Sequence, residues 1–220
     1  MEIVPTVVPK SLGDIETIAQ RFRGVARMIQ IDVTDGLFAP GGTWLPGLDG
    51  ELPELDYMNY EAHLMTEEPR AIGERFIRMG AWRIIGHVEA MGTDEEAQHT
   101  LEAWRAMGAK EIGVAVLVDT PLERLSSLAQ YCDSFLVMCI GKIGAMGASF
   151  DTRGISRVEE LHRRYPRHVI SVDGGVSEKT ITELAQAGAS RFAVGSAIAK
   201  ASDPVGSYEH LLEMVQGLQA

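Results

Sequence analysis

The chain has 220 residues, and its 45% of hydrophobic and 23% of charged residues are ordinary globular values that exclude a disordered protein. Its formal net charge of −11 at pH 7 argues against a nucleic-acid partner, because phosphates would be repelled. No apolar run is long enough to cross a membrane, and Cys132 and Cys139 lack metal-type spacing. The first residues also lack the pattern of a signal peptide. We therefore expect one domain spanning residues 1–220, located in the cytoplasm.

Strand-like and helix-like segments alternate from end to end. The apolar, strand-like segments are residues 3–8, 27–32, 59–64, 82–87, 111–118, 135–140, 168–173 and 191–194. The helix-like segments are residues 13–23, 94–107, 155–165 and 178–187, with others starting near 67, 120 and 203. Eight strand–helix units in a chain of this length favour a (β/α)₈ TIM barrel over an open doubly wound sheet.

The sequence gives specific expectations for the connections after the second and fifth strands. Between Gly36 and Asn59 the chain is rich in Gly and Pro, so we expect a short or missing helix there, in a segment that could serve as a lid. Thr120 and Pro121 are typical of a helix start, and they predict a helix after the fifth strand. Glycines at 80, 108 and 188 each follow a helical segment and are expected to end it.

Two strands end on an aspartate that is soon followed by glycine. These are residues 29–36, which contain Asp32 and Asp35, and residues 170–176, which contain Asp173. If both strands belong to one barrel, Asp32 and Asp173 face the same mouth, where two carboxylates can remove and return a proton on opposite sides of a carbon. An aspartate here can instead cap the next helix. Asp35, followed directly by Gly36, fits a turn better than catalysis.

Glycine-containing loops follow the last three strands, at residues 141–147, 174–177 and 195–197. In a (β/α)₈ barrel the loops after strands 7 and 8 commonly hold a phosphate, because glycine lets backbone N–H groups approach the oxyanion. One such loop could simply be a tight turn. Three adjacent loops favour a small phosphorylated ligand, which the acidic net charge does not exclude.

The chain resembles the ribulose-phosphate 3-epimerase family over nearly its whole length. The matching segments are residues 30–40, 62–65, 87–90, 119–123, 172–176 and 194–198, and their order and spacing are specific together. The family is a (β/α)₈ barrel that inverts carbon 3 of a ketopentose phosphate through a metal-stabilised enediolate. The resemblance therefore implies an isomerase of pentose phosphate metabolism whose partner is a sugar phosphate. We also expect a homo-oligomer.

The resemblance also implies site residues. Asp32 and Asp173 would be the acid/base pair, and together with His63 they would bind a divalent metal such as zinc, manganese, iron or magnesium. Met65 and Met138 would line the pocket. The remaining substrate- and phosphate-binding residues would be Thr6, His63, Gly144, Gly147, Gly174, Gly175, Gly195 and Ser196.

This chain departs from the family pattern in three places. Gln30 stands where the family has a second metal-binding histidine, and an amide oxygen is a harder and weaker ligand than imidazole. We therefore expect a metal that is bound weakly, a preference for a harder ion such as manganese or magnesium, or no bound metal. The loop after the sixth strand, with Lys142 and Gly144, differs from the family's Pro-Gly-Phe-Gly-Gly run. Lys142 is a candidate cation if no metal binds. Thr6 replaces a serine and keeps its hydroxyl.

Two other functions stay open. One is a related phosphate-binding barrel with lyase or decarboxylase activity, but such families place a lysine between their strand-end aspartates, and residues 32–35 contain none. The other is a non-catalytic sugar-phosphate binding protein, which the loss of histidine at position 30 would favour. His87 and Glu89 either support the pocket or form a salt bridge to a neighbour.

Overall fold

A computed structural model describes residues 1–47, 49–144 and 147–218. Its eight parallel strands form one closed barrel in which each strand pairs with the next and β8 pairs with β1. The strands are β1 Glu2–Val7, β2 Met28–Thr34, β3 Asn59–Met65, β4 Arg83–His87, β5 Glu111–Val116, β6 Ser134–Met138, β7 Val169–Asp173 and β8 Arg191–Val194. The predicted (β/α)₈ barrel is therefore confirmed.

Helices connect most of the strands on the outside of the barrel. They are α1 Leu12–Phe22, α2 Pro69–Arg78, α3 Asp94–Ala106, α4 Arg153–Arg164, α5 Ile181–Gln186, α6 Ser196–Ala199 and α7 Pro204–Gln216. Short 3₁₀ helices cover Val88–Ala90 and Leu122–Leu125. No helix within the described ranges is long and apolar enough to span a membrane.

Two connections test the predictions most directly. The segment between β2 and β3 has no helix in its described residues, as expected. The α-helix predicted after β5 was wrong, because the chain there forms only the 3₁₀ helix Leu122–Leu125, whose start has no side-chain capping bond. Leu122, Leu125 and Leu128 are all buried, and their spacing of three matches the three residues per turn of a 3₁₀ helix.

Side chains alternate between the two faces of each strand, and this alternation builds two apolar layers. On β2, Ile29, Ile31 and Val33 face outward and pack in the large core beneath the helices. A smaller cluster around Leu136 and Met138 fills the barrel interior. Polar residues of β2 therefore point inward, into the interior of the barrel.

The strand register places predicted site residues of neighbouring strands side by side. Asp32 on β2 is level with His63 on β3, and Met138 on β6 is level with Asp173 on β7. All four lie at or near the carboxyl ends of their strands, which is the end where (β/α)₈ barrels carry their active sites.

Candidate active site

Four polar side chains meet in the barrel interior near the carboxyl ends of its strands. Gln30 and Asp32 come from β2, His63 from β3 and Asp173 from β7. Gln30 and His63 are fully buried, whereas the side chains of Asp32 and Asp173 are 11% and 14% exposed. The two carboxylates therefore reach the mouth, and the amide and the imidazole lie beneath them.

Hydrogen bonds tie the four groups into one cluster. Gln30 Nε2 donates to Asp32 Oδ1 and to Asp173 Oδ2, both at 2.7 Å. His63 Nδ1 lies 3.2 Å from Asp32 Oδ1 and 3.1 Å from Asp173 Oδ2. Gln30 Nε2 is also 3.4 Å from His63 Nδ1. Two acidic side chains from non-adjacent strands thus share the same amide and the same imidazole.

The close approach of the two carboxylates changes the acid–base properties of the cluster. Burial and the charge of Asp173 raise the pKa of Asp32, although hydrogen bonds from His63 and Gln30 partly oppose them. Burial alone would lower the pKa of His63, but hydrogen bonds to Asp173 and Asp32 raise it to about 10. A proton held on His63 therefore balances part of the carboxylate charge.

The donor atoms of this cluster fit a divalent cation. One ligand atom each from Asp32, His63 and Asp173 lie within 4.8 Å of one another. The fourth group, Gln30, has a buried Oε1 without a hydrogen-bond partner among the described residues. Rotation of the Gln30 amide by 180° exchanges the positions of Oε1 and Nε2. The oxygen then faces Asp32 and Asp173 and can serve as a metal ligand. The set then contains three oxygens and one nitrogen, which suits manganese or magnesium as well as zinc.

A second histidine adjoins the cluster. His87 Nε2 lies 3.0 Å from His63 Nε2, and His87 Nδ1 lies 3.3 Å from Glu89 Oε2. Burial lowers the pKa of His87. Burial opposes ionisation of Glu89, but hydrogen bonds with His87 and Leu117 hold its pKa below the usual value. His87 thus contacts the candidate metal-ligand residue His63, and Glu89 contacts His87.

A cavity opens above the carboxylates and holds about 620 Å³ of space, including the part open to solvent. Its lining brings together residues from β1, β2, β3, β6, β7 and β8. The predicted residues that line it are Thr6, Asp32, Met65, Met138, Gly144, Gly147, Asp173, Gly174, Gly175, Gly195 and Ser196. His63 and Gln30 do not line it, since they lie below its floor. Ala145 and Met146, from the loop after β6, and Leu48, from the segment between β2 and β3, fall outside the described residues.

The glycines after β7 sit where a larger residue would not fit. Gly174 and Gly175 have φ angles of 98° and 67°, which favour glycine. A Cβ on Gly174 would lie 2.8 Å from the Ile140 side chain, and one on Gly175 would lie 2.8 Å from the backbone of Phe150. The loop after β7 is therefore packed closely against the segment that follows β6.

The loop after β2 is anchored by Asp35. Its Oδ1 accepts hydrogen bonds from the backbone N–H groups of Leu37 and Phe38, and its Oδ2 accepts one from Glu67. Asp35 thus has the turn role that its sequence context favoured. Lys142 is exposed and lies in a neighbouring cavity with Asp119, so it does not take the place of a cation beside Asp32.

Sequence reasoning missed some of the cavity lining. Val8, Thr34, Ile140 and Ala193 also face the cavity. Three of them are apolar and carry no chemical signal. Thr34 could have been found from its position two residues beyond Asp32, because side chains two apart on a strand share a face.

The fold and site together define a (β/α)₈ barrel whose mouth carries a carboxylate pair, a candidate metal-ligand group and glycine-rich loops. Comparisons with known proteins give the family. Residues 2–199 match the model of the ribulose-phosphate 3 epimerase family. The ribulose-phosphate 3-epimerase of Aquifex aeolicus is 33% identical over 192 residues, which cover 86% of this chain and 84% of that protein. The chain belongs to the ribulose-phosphate 3 epimerase family, and it is accordingly an enzyme of the isomerase class.

Solved structures of other enzymes share the fold at low identity. The 3-hexulose-6-phosphate synthase of Salmonella typhimurium has a TM-score of 0.71 and 16% identity, with 99% of each chain covered. The KGPDC of Streptococcus mutans in complex with D-R5P has a TM-score of 0.72 and 13% identity, covering 99% of this chain and 98% of that one. At these identities the likeness shows the barrel fold alone.

Proposed function

We propose that this protein is a phosphosugar epimerase that inverts the carbon next to a ketone, with ribulose 5-phosphate and xylulose 5-phosphate as its substrate pair. The observation that carries the proposal is the meeting of Asp32 and Asp173, from two strands that are not neighbours, in the lining of one cavity. Membership of the epimerase family and the names of its relatives support the choice of a pentulose phosphate.

The two carboxylates would divide the proton transfer between them. One takes the proton from the carbon beside the ketone, and the other, in its acid form, returns a proton to the opposite face. Because burial and Asp173 raise the pKa of Asp32, that residue is suited to the role of the acid. Between the two steps the substrate is an enediolate, whose negative oxygens need stabilisation.

Asp32, His63 and Asp173 would hold a divalent cation, with Gln30 as a fourth and weaker ligand. When bound, the cation supplies Lewis-acid stabilisation of the developing negative charge. His63 and Gln30 position both carboxylates through the contacts at 2.7–3.2 Å described above. Met65 and Met138, which are 4% and 2% exposed, keep this region apolar and dry.

The phosphate of the substrate would bind at the glycine-rich side of the cavity. Gly144, Gly147, Gly174, Gly175 and Gly195 line it, and the hydroxyls of Ser196 and Thr6 face the same space. Backbone N–H groups can hold a phosphate without a cationic side chain, which agrees with the acidic net charge. The lyase and decarboxylase alternative gains no support, because no described lining residue is a lysine.

Proton exchange measures this activity directly. The purified protein is incubated with ribulose 5-phosphate in D₂O, and the carbon-3 proton is followed by NMR, first after chelator treatment and then with added zinc or magnesium. We expect loss of that signal together with the appearance of xylulose 5-phosphate. If the rate of exchange depends on added metal, the result would support a metal site formed by Asp32, His63, Asp173 and Gln30.

Ribulose without its phosphate is the matched control for the binding half of the proposal. We expect its exchange to be slower by orders of magnitude, because binding energy from the remote phosphate contributes to catalysis at the reacting carbon. Absence of exchange with ribulose 5-phosphate under every metal condition would contradict pentulose epimerisation. The oligomeric state and the cytoplasmic location stay predictions.

A further inference from the structure

A chain of three side chains leads away from the candidate metal-ligand group, and the two-carboxylate reaction does not use its outer members. It runs from His63 to His87 and then to Glu89, through contacts of 3.0 Å and 3.3 Å. His87 is completely buried, and the Glu89 side chain is 17% exposed. Phe38 covers His87, with ring centroids 5.1 Å apart, so the imidazole has little freedom to rotate.

The hydrogen bonds that link His63, His87 and Glu89 have only one consistent direction. The Glu89 carboxylate carries no hydrogen and can only accept; its Oε1 takes the backbone N–H of Leu117 at 2.8 Å. His87 must therefore donate from Nδ1. A neutral His87 then has a lone pair on Nε2, and the hydrogen between the two Nε2 atoms belongs to His63.

This direction decides which nitrogen of His63 faces the candidate metal site. Its Nε2 keeps a hydrogen bonded to His87, so its Nδ1, the atom next to Asp32 and Asp173, is the nitrogen that would lose its proton to a bound cation and offer a lone pair. Without the outer pair, the two carboxylates would favour the opposite tautomer, because they attract a hydrogen onto Nδ1. The outer pair therefore opposes a local preference that would block the ligand atom.

We propose that His87 and Glu89 are positioning residues that fix the tautomer of His63, so that its Nδ1 lone pair is directed at a divalent cation held by Asp32 and Asp173. Partners of this kind set the affinity of a site for its metal without touching the metal. The proposal rests on the metal site of the proposed function, but it makes a claim about binding that does not depend on turnover.

Glu89→Gln is a sharp test because it changes one acceptor into a donor with almost the same shape. The new side-chain amide can accept from the backbone N–H of Leu117 only if its own N–H group turns toward His87. That reverses both hydrogen bonds and places a hydrogen on His63 Nδ1. Glu95→Gln, on the exposed first turn of α3, removes the same charge without touching the site and is the matched control.

The first readout is the dissociation constant for zinc and for manganese, measured by competition with a chromophoric chelator. We expect Glu89→Gln to weaken binding about 10- to 100-fold, and Glu95→Gln to leave it unchanged. His87→Phe keeps a ring beneath Phe38 and should weaken binding to a similar degree. If Glu89 acts only through His87, the double variant should bind no more weakly than His87→Phe alone.

The second readout is the ¹⁵N NMR spectrum of histidine-labelled, zinc-loaded protein, with His63 assigned through a His63→Gln variant. We expect the hydrogen of His63 on Nε2 in the parent protein. A hydrogen on Nδ1, unchanged metal affinity in Glu89→Gln, additive losses in the double variant, or a parent protein that binds neither metal would each overturn the proposal. Failure of epimerisation in a protein that binds metal would instead count against the proposed function alone.

Discussion

The two ends of the barrel interior both bury charged groups, but they pair them differently. At the amino ends of the strands, Arg83 forms ion pairs with Glu61, Glu111 and Glu2, and Arg191 binds Glu111 at 2.7 Å. At the carboxyl ends, Asp32 and Asp173 meet a neutral amide and a histidine. Arginine keeps its proton under all ordinary conditions, whereas histidine and carboxylates exchange theirs. Near neutral pH the network at the amino ends, called here the lower network, therefore keeps its charges, whereas the cluster at the carboxyl ends, called here the upper cluster, can take part in proton transfer.

The acid–base properties of the two ends follow this difference. Burial would raise the pKa of Glu111, but the charges of Arg191 and Arg83 bring it below the usual value. The pKa of Asp32 is instead raised, by burial and by Asp173. Burial thus acts in the same direction at both ends, and the neighbouring charge decides the outcome. A shifted pKa indicates function here only where the neighbours are themselves titratable.

Removing a carboxylate from the upper cluster should give the largest effect on activity. We expect Asp32→Asn and Asp173→Asn each to lower kcat by about 10²- to 10⁴-fold, because each removes one partner of the proton transfer. Stability should change little, since each change relieves repulsion between two acidic groups but also weakens the attraction to protonated His63. Steady-state kinetics with ribulose 5-phosphate and thermal unfolding of the metal-free proteins measure the two effects.

The matched control for these variants is Asp56→Asn, which removes an exposed carboxylate just before β3, at the opposite end of the barrel. It should leave kcat unchanged. A carboxylate variant that keeps full activity, or one that loses activity only because it unfolds, would contradict the assignment of that aspartate to proton transfer.

Removing a charge from the lower network should have the reverse result, with a loss of stability and little change in kcat. Arg83→Met leaves the fully buried Glu61 without its ion-pair partner. Breaking a buried pair in this way costs about 3–5 kcal/mol. Denaturant unfolding measures the loss, and kinetics on the folded protein measure the activity.

Two further variants test whether the buried ion pairs of the lower network stabilise the protein. Arg70→Met breaks an exposed pair with Glu74 on α2 and should cost at most about 0.5 kcal/mol. Adding Glu61→Gln to Arg83→Met should recover part of the lost stability, because no buried charge is then left alone. If Arg83→Met cost no more than Arg70→Met, the lower network would not be a stabilising element.

The sequence predicted the upper cluster far better than the lower network, for a physical reason. Asp32 and Asp173 interrupt apolar runs just before glycine, so they stand out as polar groups at strand ends. Arg83, Glu111 and Arg191 stand at the starts of strands, where a charged residue is ordinarily read as solvent-exposed. Only closure of the barrel brings Arg191 to Glu111, which is 80 residues away in sequence.

The direction of hydrogen bonds could not be predicted either. The pattern singled out Gln30 as a departure from the family, but only the structure shows that its amide bonds to both carboxylates and leaves Oε1 without a partner among the described residues. The mistaken helix after β5 has a similar origin. Thr120 and Pro121 are a valid local signal, but tertiary burial of a leucine at every third position favours 3₁₀ geometry.

A smaller effect than that of Arg83→Met is expected from a pH dependence carried by Glu111. A carboxyl whose folded pKa is lowered stabilises the fold above its unfolded pKa, and that contribution is lost as pH falls through the folded value. Glu111→Gln should therefore cost roughly 1.5–3 kcal/mol near neutral pH, as expected for hydrogen bonds to charged groups. The difference from the parent protein should shrink as pH falls below about 4.5, the ordinary pKa of a glutamate. Denaturant unfolding at several pH values measures it, with the exposed Glu95→Gln as the matched control. A difference that is constant with pH would mean that Glu111 stabilises the barrel by its shape and not by its charge.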